Sequence, residues 1–105
     1  MSVSTHVLDA VTGRPAAGVA VRLLAGDGAV AEGVTDEDGR CRLVDGPTAS
    51  GAHRLVFDTG TWFAAREVVT FYPEVTLTFA VVDPGQHHHV PLLLSPFAYS
   101  TYRGS

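Results

Sequence analysis

The five histidines and the last four residues are the groups in this sequence best suited to acid–base and anion-binding chemistry. The histidines are His6, His53 and the run His87–His89, and the chain ends with Tyr102-Arg103-Gly104-Ser105 directly after an apolar run. Imidazole titrates near neutral pH, so a histidine can take a proton from water and return it to a leaving group. An arginine fork pairs with planar or anionic groups. These residues could support hydrolytic chemistry if the fold brings them together.

The three adjacent histidines invite a zinc site, but strand geometry argues against one. Successive side chains of a strand point to opposite faces, so His88 points away from His87 and His89. His88 shares its parity with Val90 and Leu92, which predicts that it faces the core. His87 and His89 then share the other face, about 7 Å apart by the rise per residue. A metal would need further ligands there, and the sequence has no HExxH motif and one cysteine. We therefore expect no metal, with a plain surface histidine as the alternative role for His89.

His6 and Arg40 are less sharply defined by position alone. His6 lies in the run "STHVLDA", where alternation places it on a mixed face with Ser4 and Leu8. A packed or surface histidine is therefore an open alternative to a catalytic one. Arg40 directly follows Asp38-Gly39, where a solvated arginine beside a turn is the alternative to a functional one.

Short apolar runs separated by turn residues would have to position these side chains. The run "VTLTFAV" alternates cleanly, and the others are "STHVLDA", "VAVRLLA", "AVAEGVT", "RCRLV", "AHRLVFD", "HHHVPLLL" and "FAYSTYR". Asp38-Gly39 predicts a hairpin, and Ser95-Pro96 joins the last two runs. About eight strands at this spacing are typical of a sandwich or barrel. The stretch "TWFAAREVV" lacks alternation and predicts a short helix or irregular turn. We predict an all-β sandwich with one short helix.

Length, charge and cysteine content limit the functional classes. The 105 residues make one domain, residues 1–105. The net charge is −4, and seven arginines without a basic run argue against nucleic-acid binding. Cys41, the one cysteine, has no partner for an internal disulfide. We see no signal-peptide pattern and no apolar stretch of membrane-spanning length, so we expect a soluble cytoplasmic protein without a membrane partner.

Four segments together carry a resemblance to a known family. They are "THVLDAVTGRPAAGVAVRLL", "TDEDGRC", "FYPEV" and "HHHVPLLLSPFAYSTYRGS", and they span essentially the whole chain. The sequence resembles the transthyretin-like family and, within it, the 5-hydroxyisourate hydrolases. The first segment is moderately specific. The terminal "YRGS" is the most specific, because it looks like the tetrapeptide that separates the hydrolases from transthyretin, the hormone carrier.

The resemblance implies a fold and an activity. The fold would be a transthyretin-like (prealbumin-like) sandwich of two four-stranded sheets with one short helix. The assembly would be a homotetramer with active sites in a channel between dimers. The reaction would be hydrolysis of 5-hydroxyisourate to 2-oxo-4-hydroxy-4-carboxy-5-ureidoimidazoline in urate catabolism, with no metal or organic cofactor. The alternative is a transthyretin-like carrier of a small ligand without catalysis, which would favour an apolar channel.

The resemblance also assigns roles to individual residues. The residues implied to be catalytic are His6, Arg40, His89 and Ser105, with histidines activating water and arginine orienting the substrate. The residues implied to bind substrate are Tyr102, Arg103 and Gly104. Ser105 would offer its hydroxyl and, as the last residue, its α-carboxylate, while Gly104 allows close approach of the backbone. One departure is visible: His88 stands where the family usually has tyrosine. Its core parity suggests an effect on packing more than on chemistry.

Overall fold

The chain folds as a sandwich of two β-sheets in a computed structural model, which describes residues 2–26, 28–45 and 49–105 and only the backbone of Asp45. The elements in this part of the chain are β1 (Ser2–Asp9), β2 (Arg14–Pro15), β3 (Ala20–Ala25), β4 (Gly28–Val34), β5 (Arg40–Asp45), β6 (Gly51–Phe57), α1 (Thr59–Ala64), β7 (Val75–Val81), β8 (His87–Leu94) and β9 (Tyr99–Thr101). The predicted all-β class with one short helix is confirmed.

The first sheet is organised around β1. Strand β8 runs parallel to β1 along one edge, and β9 continues the sheet beyond β8. The other edge of β1 is shared, because β5 pairs with Ser2–His6 and the two-residue β2 pairs with Leu8–Asp9. Five strands therefore occupy four positions. The second sheet has the order β4-β3-β6-β7 and is antiparallel throughout.

The hydrophobic core lies between the inner faces of the two sheets. Leu23, Leu55 and Phe57 from the second sheet and Leu92 from the first are fully buried there. Along β8 the buried positions are His88, Val90, Pro91, Leu92 and Leu94, whereas His87 is exposed and His89 half-buried. The predicted inward direction of His88 and outward direction of His87 and His89 are confirmed. The outer face of this sheet is therefore free of the core and can carry functional side chains.

The prediction of a hairpin at Asp38-Gly39 is wrong, because the strands on either side of this turn do not pair with each other. Strand β4 pairs with β3 in the second sheet, and β5 pairs with β1 in the first, so the turn crosses from one sheet to the other. The reason is a contact with β1, where the Val7 amide donates to the Gly39 carbonyl at 2.7 Å. Gly39 has φ +76°, and a Cβ would overlap the Val7 carbonyl oxygen. Glycine is required here by both conformation and space.

The helix is shorter and earlier than the predicted stretch "TWFAAREVV". Asp58 caps α1 by accepting from the Thr61 amide at 3.3 Å, so the helix begins at Thr59. Trp62 is buried, and its indole nitrogen donates to the Ala17 carbonyl at 2.8 Å. Glu67 adopts φ 57°, which is incompatible with a continuing right-handed helix. Within the residues described, no helix is long and apolar enough to cross a membrane.

Candidate active site

Neighbouring strands bring most of the predicted site residues onto the outer face of the first sheet. His6 on β1 lies directly opposite Arg40 on β5. Ser4, two residues before His6, lies beside His89 on β8. Residues opposite one another on paired strands point to the same face, as do residues two apart along a strand. His6, Arg40, Ser4 and His89 therefore form one patch, in which Arg40 is exposed and the other three are half-buried.

A cleft of about 310 Å³ lies over this patch. Its lining includes Ser4, Arg40, His87, His89 and Ser105. The structure thus brings three of the four predicted catalytic residues to one cleft, and the fourth, His6, lies beside Arg40 across the β1–β5 pair. The cleft carries arginine, histidine and hydroxyl groups together with the carboxylate of Asp36, which suits a polar, planar molecule.

The terminal tetrapeptide divides between two clefts. Ser105 lines the cleft with Arg40, whereas Tyr102 and Arg103 line a neighbouring cleft of about 280 Å³. Arg103 Nη2 lies 3.3 Å from Gln86 Oε1. His89 lines both clefts and so forms the wall between them. The structure does not place Tyr102 and Arg103 against Arg40.

Gly104 holds the terminal segment against His89. Its amide donates to the His89 carbonyl at 2.9 Å, and the two residues form an isolated β-bridge. A Cβ at position 104 would lie 3.1 Å from the Cγ of His89 and would overlap the Cδ2 of the same ring. The absence of a side chain at Gly104 therefore allows the His89 ring to lie this close to the terminal segment.

His6 has one fixed tautomer. Its Nε2 lies 2.8 Å from the carbonyl oxygen of Asp38. A carbonyl oxygen can only accept, so Nε2 carries the proton and Nδ1 keeps a lone pair. The Asp36 carboxylate shapes the same turn by accepting from the amides of Asp38 and Arg40, each at 2.9 Å. One turn therefore orients both His6 and Arg40.

His89 is held differently, by a hydroxyl group. Its Nδ1 lies 2.8 Å from Ser4 Oγ, and Nε2 has no hydrogen bond within the part of the chain that is described. Partial burial lowers the pKa of His89 below its usual value of 6.5, and the positive potential of His87, Arg40 and His6 lowers it further, against an opposing interaction with the Ser4 backbone. The neutral, proton-accepting ring is therefore favoured at neutral pH.

Ser4 and His87 are site residues that the sequence analysis did not assign. Ser4 Oγ lies 3.1 Å from His87 Nε2 as well as 2.8 Å from His89 Nδ1. The His87 and His89 rings stack with their centroids 6.2 Å apart and an interplanar angle of 14°. Alternation did place Ser4 on the same face as His6. Nothing in the local sequence, however, indicates which residues of β8 lie beside it.

His87 and His89 share one face of β8 and would need further ligands to hold a metal ion. Among residues 2–26, 28–45 and 49–105, no group of three or more His, Cys, Asp or Glu side chains is arranged to hold a metal ion. The two rings share Ser4 as a hydrogen-bond partner, and His87 also contacts Ser2.

Comparison with known proteins gives a consistent result. Residues 3–104 match the model of the HIUase/Transthyretin family. The chain is 49% identical over 111 residues to 5-hydroxyisourate hydrolase of Caulobacter vibrioides, covering 97% of this chain and 96% of that protein. The structure of Klebsiella pneumoniae 5-hydroxyisourate hydrolase superposes with a TM-score of 0.92 at 37% identity, over 100% of both chains. Sea bream transthyretin, solved in complex with thyroxine, gives 0.87 at 32% identity, over 97% of this chain and 93% of that one.

Proposed function

This chain belongs to the HIUase/transthyretin family, and from that premise we propose that it hydrolyses 5-hydroxyisourate in urate catabolism. The product would be 2-oxo-4-hydroxy-4-carboxy-5-ureidoimidazoline. The observation that carries the proposal is one cleft lined by Arg40, His89 and Ser105, with His6 beside Arg40. The alternative, a small-ligand carrier like the thyroxine-bound transthyretin, fits this cleft less well. An apolar ligand would have to bury the charge of Arg40 without a partner.

The proposed reaction begins with a water molecule held between the two histidines. His89 Nε2 takes a proton from the water, whose oxygen attacks a ring carbonyl carbon of the substrate. The C–N bond then breaks, and the leaving nitrogen receives a proton from His89. We assign the base role to His89 because its lowered pKa keeps the ring neutral at pH 7. His6 would accept a hydrogen bond from the same water through Nδ1, since its Nε2 proton is committed to Asp38.

Arg40 would orient the substrate and stabilise the developing charge. A guanidinium can form two parallel hydrogen bonds to a planar, anionic edge. It also stabilises an oxyanion as the carbonyl carbon becomes tetrahedral. Ser105, which lines the same cleft as Arg40, would donate its hydroxyl to the substrate.

The other terminal residues would bind substrate close to His89, which lines both clefts. Gly104 lets the terminal segment lie close to the His89 ring. Tyr102 and Arg103 line the adjoining cleft, where Gln86 restrains the guanidinium. We propose that these two side chains contact the substrate where the clefts meet at His89.

We propose a homotetramer, in which the outer face of the first sheet lines a water-filled channel between dimers. An aromatic patch consisting of Phe71, Tyr72, Phe97 and Tyr99 supports self-association. Phe71 is 71% exposed and Phe97 is 66% exposed. The Phe71 amide donates to the Pro96 carbonyl at 2.9 Å, which joins the two loops that carry them. Exposed apolar surface of this kind is typical of interfaces, and dihedral tetramers are common. Light scattering at micromolar concentration should report four chains; a fully active monomer would contradict a site built between subunits.

We further propose a cytoplasmic location and catalysis without a metal or organic cofactor. Cys41 is buried and its pKa is raised, first by burial and then by Asp36, so it behaves as a core residue and has no second cysteine to pair with. Cell fractionation tests the location. Full activity after dialysis against a chelator tests the absence of a metal requirement, and loss of activity that zinc restores would revive a metal site at His87 and His89.

The decisive experiment for the activity uses fresh substrate. Urate oxidase generates 5-hydroxyisourate, and its ultraviolet absorbance is followed with and without this protein. Micromolar protein should speed the decay well beyond the spontaneous rate. A decay curve that the protein leaves unchanged would remove the hydrolase proposal and favour the carrier.

A further inference from the structure

Four side chains on the outer face of the first sheet form a continuous hydrogen-bonded chain. His89 Nδ1 lies 2.8 Å from Ser4 Oγ, and Ser4 Oγ lies 3.1 Å from His87 Nε2. His87 Nδ1 contacts Ser2 Oγ. His89 is half-buried in the cleft wall, whereas His87 is exposed. The chain therefore leads from the candidate active site to solvent.

The parallel pairing of β1 and β8 creates this alignment. Ser2 lies beside His87 and Ser4 beside His89. Side chains two residues apart share a face on both strands, so the two serines and two histidines follow the same outward row. A shift by one residue would replace both serines with the buried positions Val3 and Thr5.

Two arrangements of the hydrogen atoms allow a proton to pass along this chain. In both, Ser4 donates its one hydroxyl proton to one ring and accepts a proton from the other. In the first arrangement, His89 Nδ1–H donates to Ser4, Ser4 donates to His87 Nε2, and His87 Nδ1–H donates to Ser2. His89 Nε2 then has a lone pair. In the second arrangement every bond is reversed, and His89 Nε2 carries a proton. Both arrangements keep the two rings neutral.

We propose that Ser4 and His87 form a proton relay that switches His89 between its base form and its acid form, a role that rests on the proposed hydrolase activity. When His89 Nε2 takes a proton from water, the Nδ1 proton passes to Ser4 Oγ and the Ser4 proton passes to His87 Nε2. The His87 Nδ1 proton passes to Ser2 Oγ, which releases its own proton to solvent. One proton enters and one leaves, and no bond other than those to hydrogen changes. When His89 Nε2 gives its proton to the leaving nitrogen, every transfer is reversed: Ser2 takes a proton from solvent, and His89 Nδ1 regains its proton from Ser4.

The surroundings of His89 explain why such a relay would help. The charged and titratable groups that line its two clefts are His87, His88, Asp36, Arg40, Cys41, Arg42, Arg103 and Ser105 with its α-carboxylate, and His6 lies beside Arg40. Burial and the positive potential of His87, Arg40 and His6 lower the pKa of His89 despite the two carboxylates, so a positive charge on its ring is disfavoured. The relay lets Nε2 gain a proton without leaving the ring charged. His6 lacks this option, because the Asp38 carbonyl to which it donates cannot return a proton.

The first test substitutes Ser4, which acts through His89 and is a positioning residue. Ser4→Ala should lower kcat about 3- to 10-fold, the range expected for one hydrogen bond, with little change in KM. It should also shift the acidic limb of the pH–kcat profile. Ser4→Thr retains a hydroxyl at the same atom and should recover most of the loss. Ser100→Ala on β9, an exposed serine outside both clefts, is the matched control. Equal damage from Ser4→Ala and Ser4→Thr, or an unchanged pH profile in Ser4→Ala, would overturn the proposal.

The second test substitutes His87, the exposed end of the relay. His87→Ala should lower kcat, and added imidazole should restore it by accepting the proton from Ser4. A relay predicts this rescue in His87→Ala and none in His89→Asn, where the base itself is missing. A loss in His87→Ala that imidazole does not restore would contradict the relay.

A spectroscopic readout separates the relay from the hydrolase proposal. Nitrogen-15 NMR of the imidazole rings reports which nitrogen carries the proton, without any substrate. The relay predicts that His87 and His89 exchange between two tautomers, that Ser4→Ala changes their populations, and that His6 stays protonated at Nε2 in both proteins. Identical His89 tautomer populations in wild type and Ser4→Ala would reject the relay even in an active enzyme. Failure of the urate-derived substrate assay alone would reject the hydrolase proposal instead.

Discussion

The histidines on the two faces of β8 have different kinds of hydrogen-bond partner. On the core face, His88 is buried, and its Nδ1 lies 3.1 Å from the Gln86 carbonyl oxygen. His53 packs on the same aromatic ring, Phe79, and its Nδ1 lies 3.1 Å from the Gly51 carbonyl oxygen. On the outer face, His87 and His89 contact serine hydroxyls.

The chemistry of the partner decides what each ring can do. A carbonyl oxygen only accepts, so the core rings hold their proton at Nδ1 and serve as packing groups with one fixed polar contact. A hydroxyl both donates and accepts, so the outer rings can exchange tautomers. The same residue type, one position apart, is thus suited to structure on one face and to proton transfer on the other.

The largest expected effect comes from substituting His89 on the outer face and comparing it with the same substitution of His88 on the core face. His89→Asn should lower kcat about 10²- to 10⁴-fold, because it removes the proposed base, and it should leave the melting temperature nearly unchanged. His88→Asn should do the reverse, costing about 1–3 kcal/mol of stability by leaving space beside Phe79 while folded protein stays active. Substrate decay and denaturant unfolding measure the two effects. His88→Tyr is the control and should retain turnover. A harmless His89→Asn combined with an inactive His88→Asn would mean that the strand register is shifted by one residue.

A smaller but still large loss should follow deletion of residues 102–105. The deletion removes Ser105 from the Arg40 cleft and the Gly104 bridge from His89, yet it removes few core contacts. We expect turnover to fall at least about tenfold, which corresponds to one lost transition-state hydrogen bond or more. Circular dichroism and light scattering should show an unchanged fold and assembly. Full activity of the truncated protein would separate the terminal segment from the site.

Gly104→Ala should act on the same contact with less disruption. The new Cβ would overlap the His89 ring, so either the ring or the terminal segment must move. Overpacking of this kind costs about 1–3 kcal/mol, and we expect kcat/KM to fall about tenfold. Gly28→Ala on β4 is the matched control, because a Cβ there meets nothing within 4 Å. If both variants match wild type in steady-state assays, the close approach of Gly104 to His89 is not needed for activity.

The smallest expected effect is the pH dependence that His89 contributes. Its pKa is lowered in the folded protein, so below the unfolded value of 6.5 the unfolded chain binds a proton that the folded chain resists. The unfolding free energy should therefore fall as the pH drops through 6.5 and on through the folded pKa, and the contribution of His89 to the slope should vanish well above pH 6.5. The acidic limb of kcat/KM should lie below pH 6.5 for the same reason. Urea titrations at several pH values give the unfolding free energy as a function of pH. Its slope in this window should be smaller for His89→Asn than for wild type. Parallel curves would show that His89 is not the group that titrates.

Much of the fold and part of the site followed from short-range patterns. Alternation along β8 correctly placed His88 in the core and His87 and His89 outside, because the period of two is a property of the strand backbone itself. The four sequence segments that resemble the family, of which the last ends in "YRGS", correctly indicated a family that matches residues 3–104. The helix was located to within a few residues, although its N-cap at Asp58 was not recognised.

What only the tertiary structure decided depends on strand pairing across long sequence separations. Ser4 and His89 are 85 residues apart, and their contact exists because β1 and β8 pair in parallel with one particular register. The crossing from sheet to sheet at Gly39 and the division of the terminal residues between two clefts depend on similar long-range contacts. Local sequence determines which face a side chain occupies. Register, which is set by packing of the whole sandwich, determines which side chain lies beside it, and so gave His89 a serine as its partner.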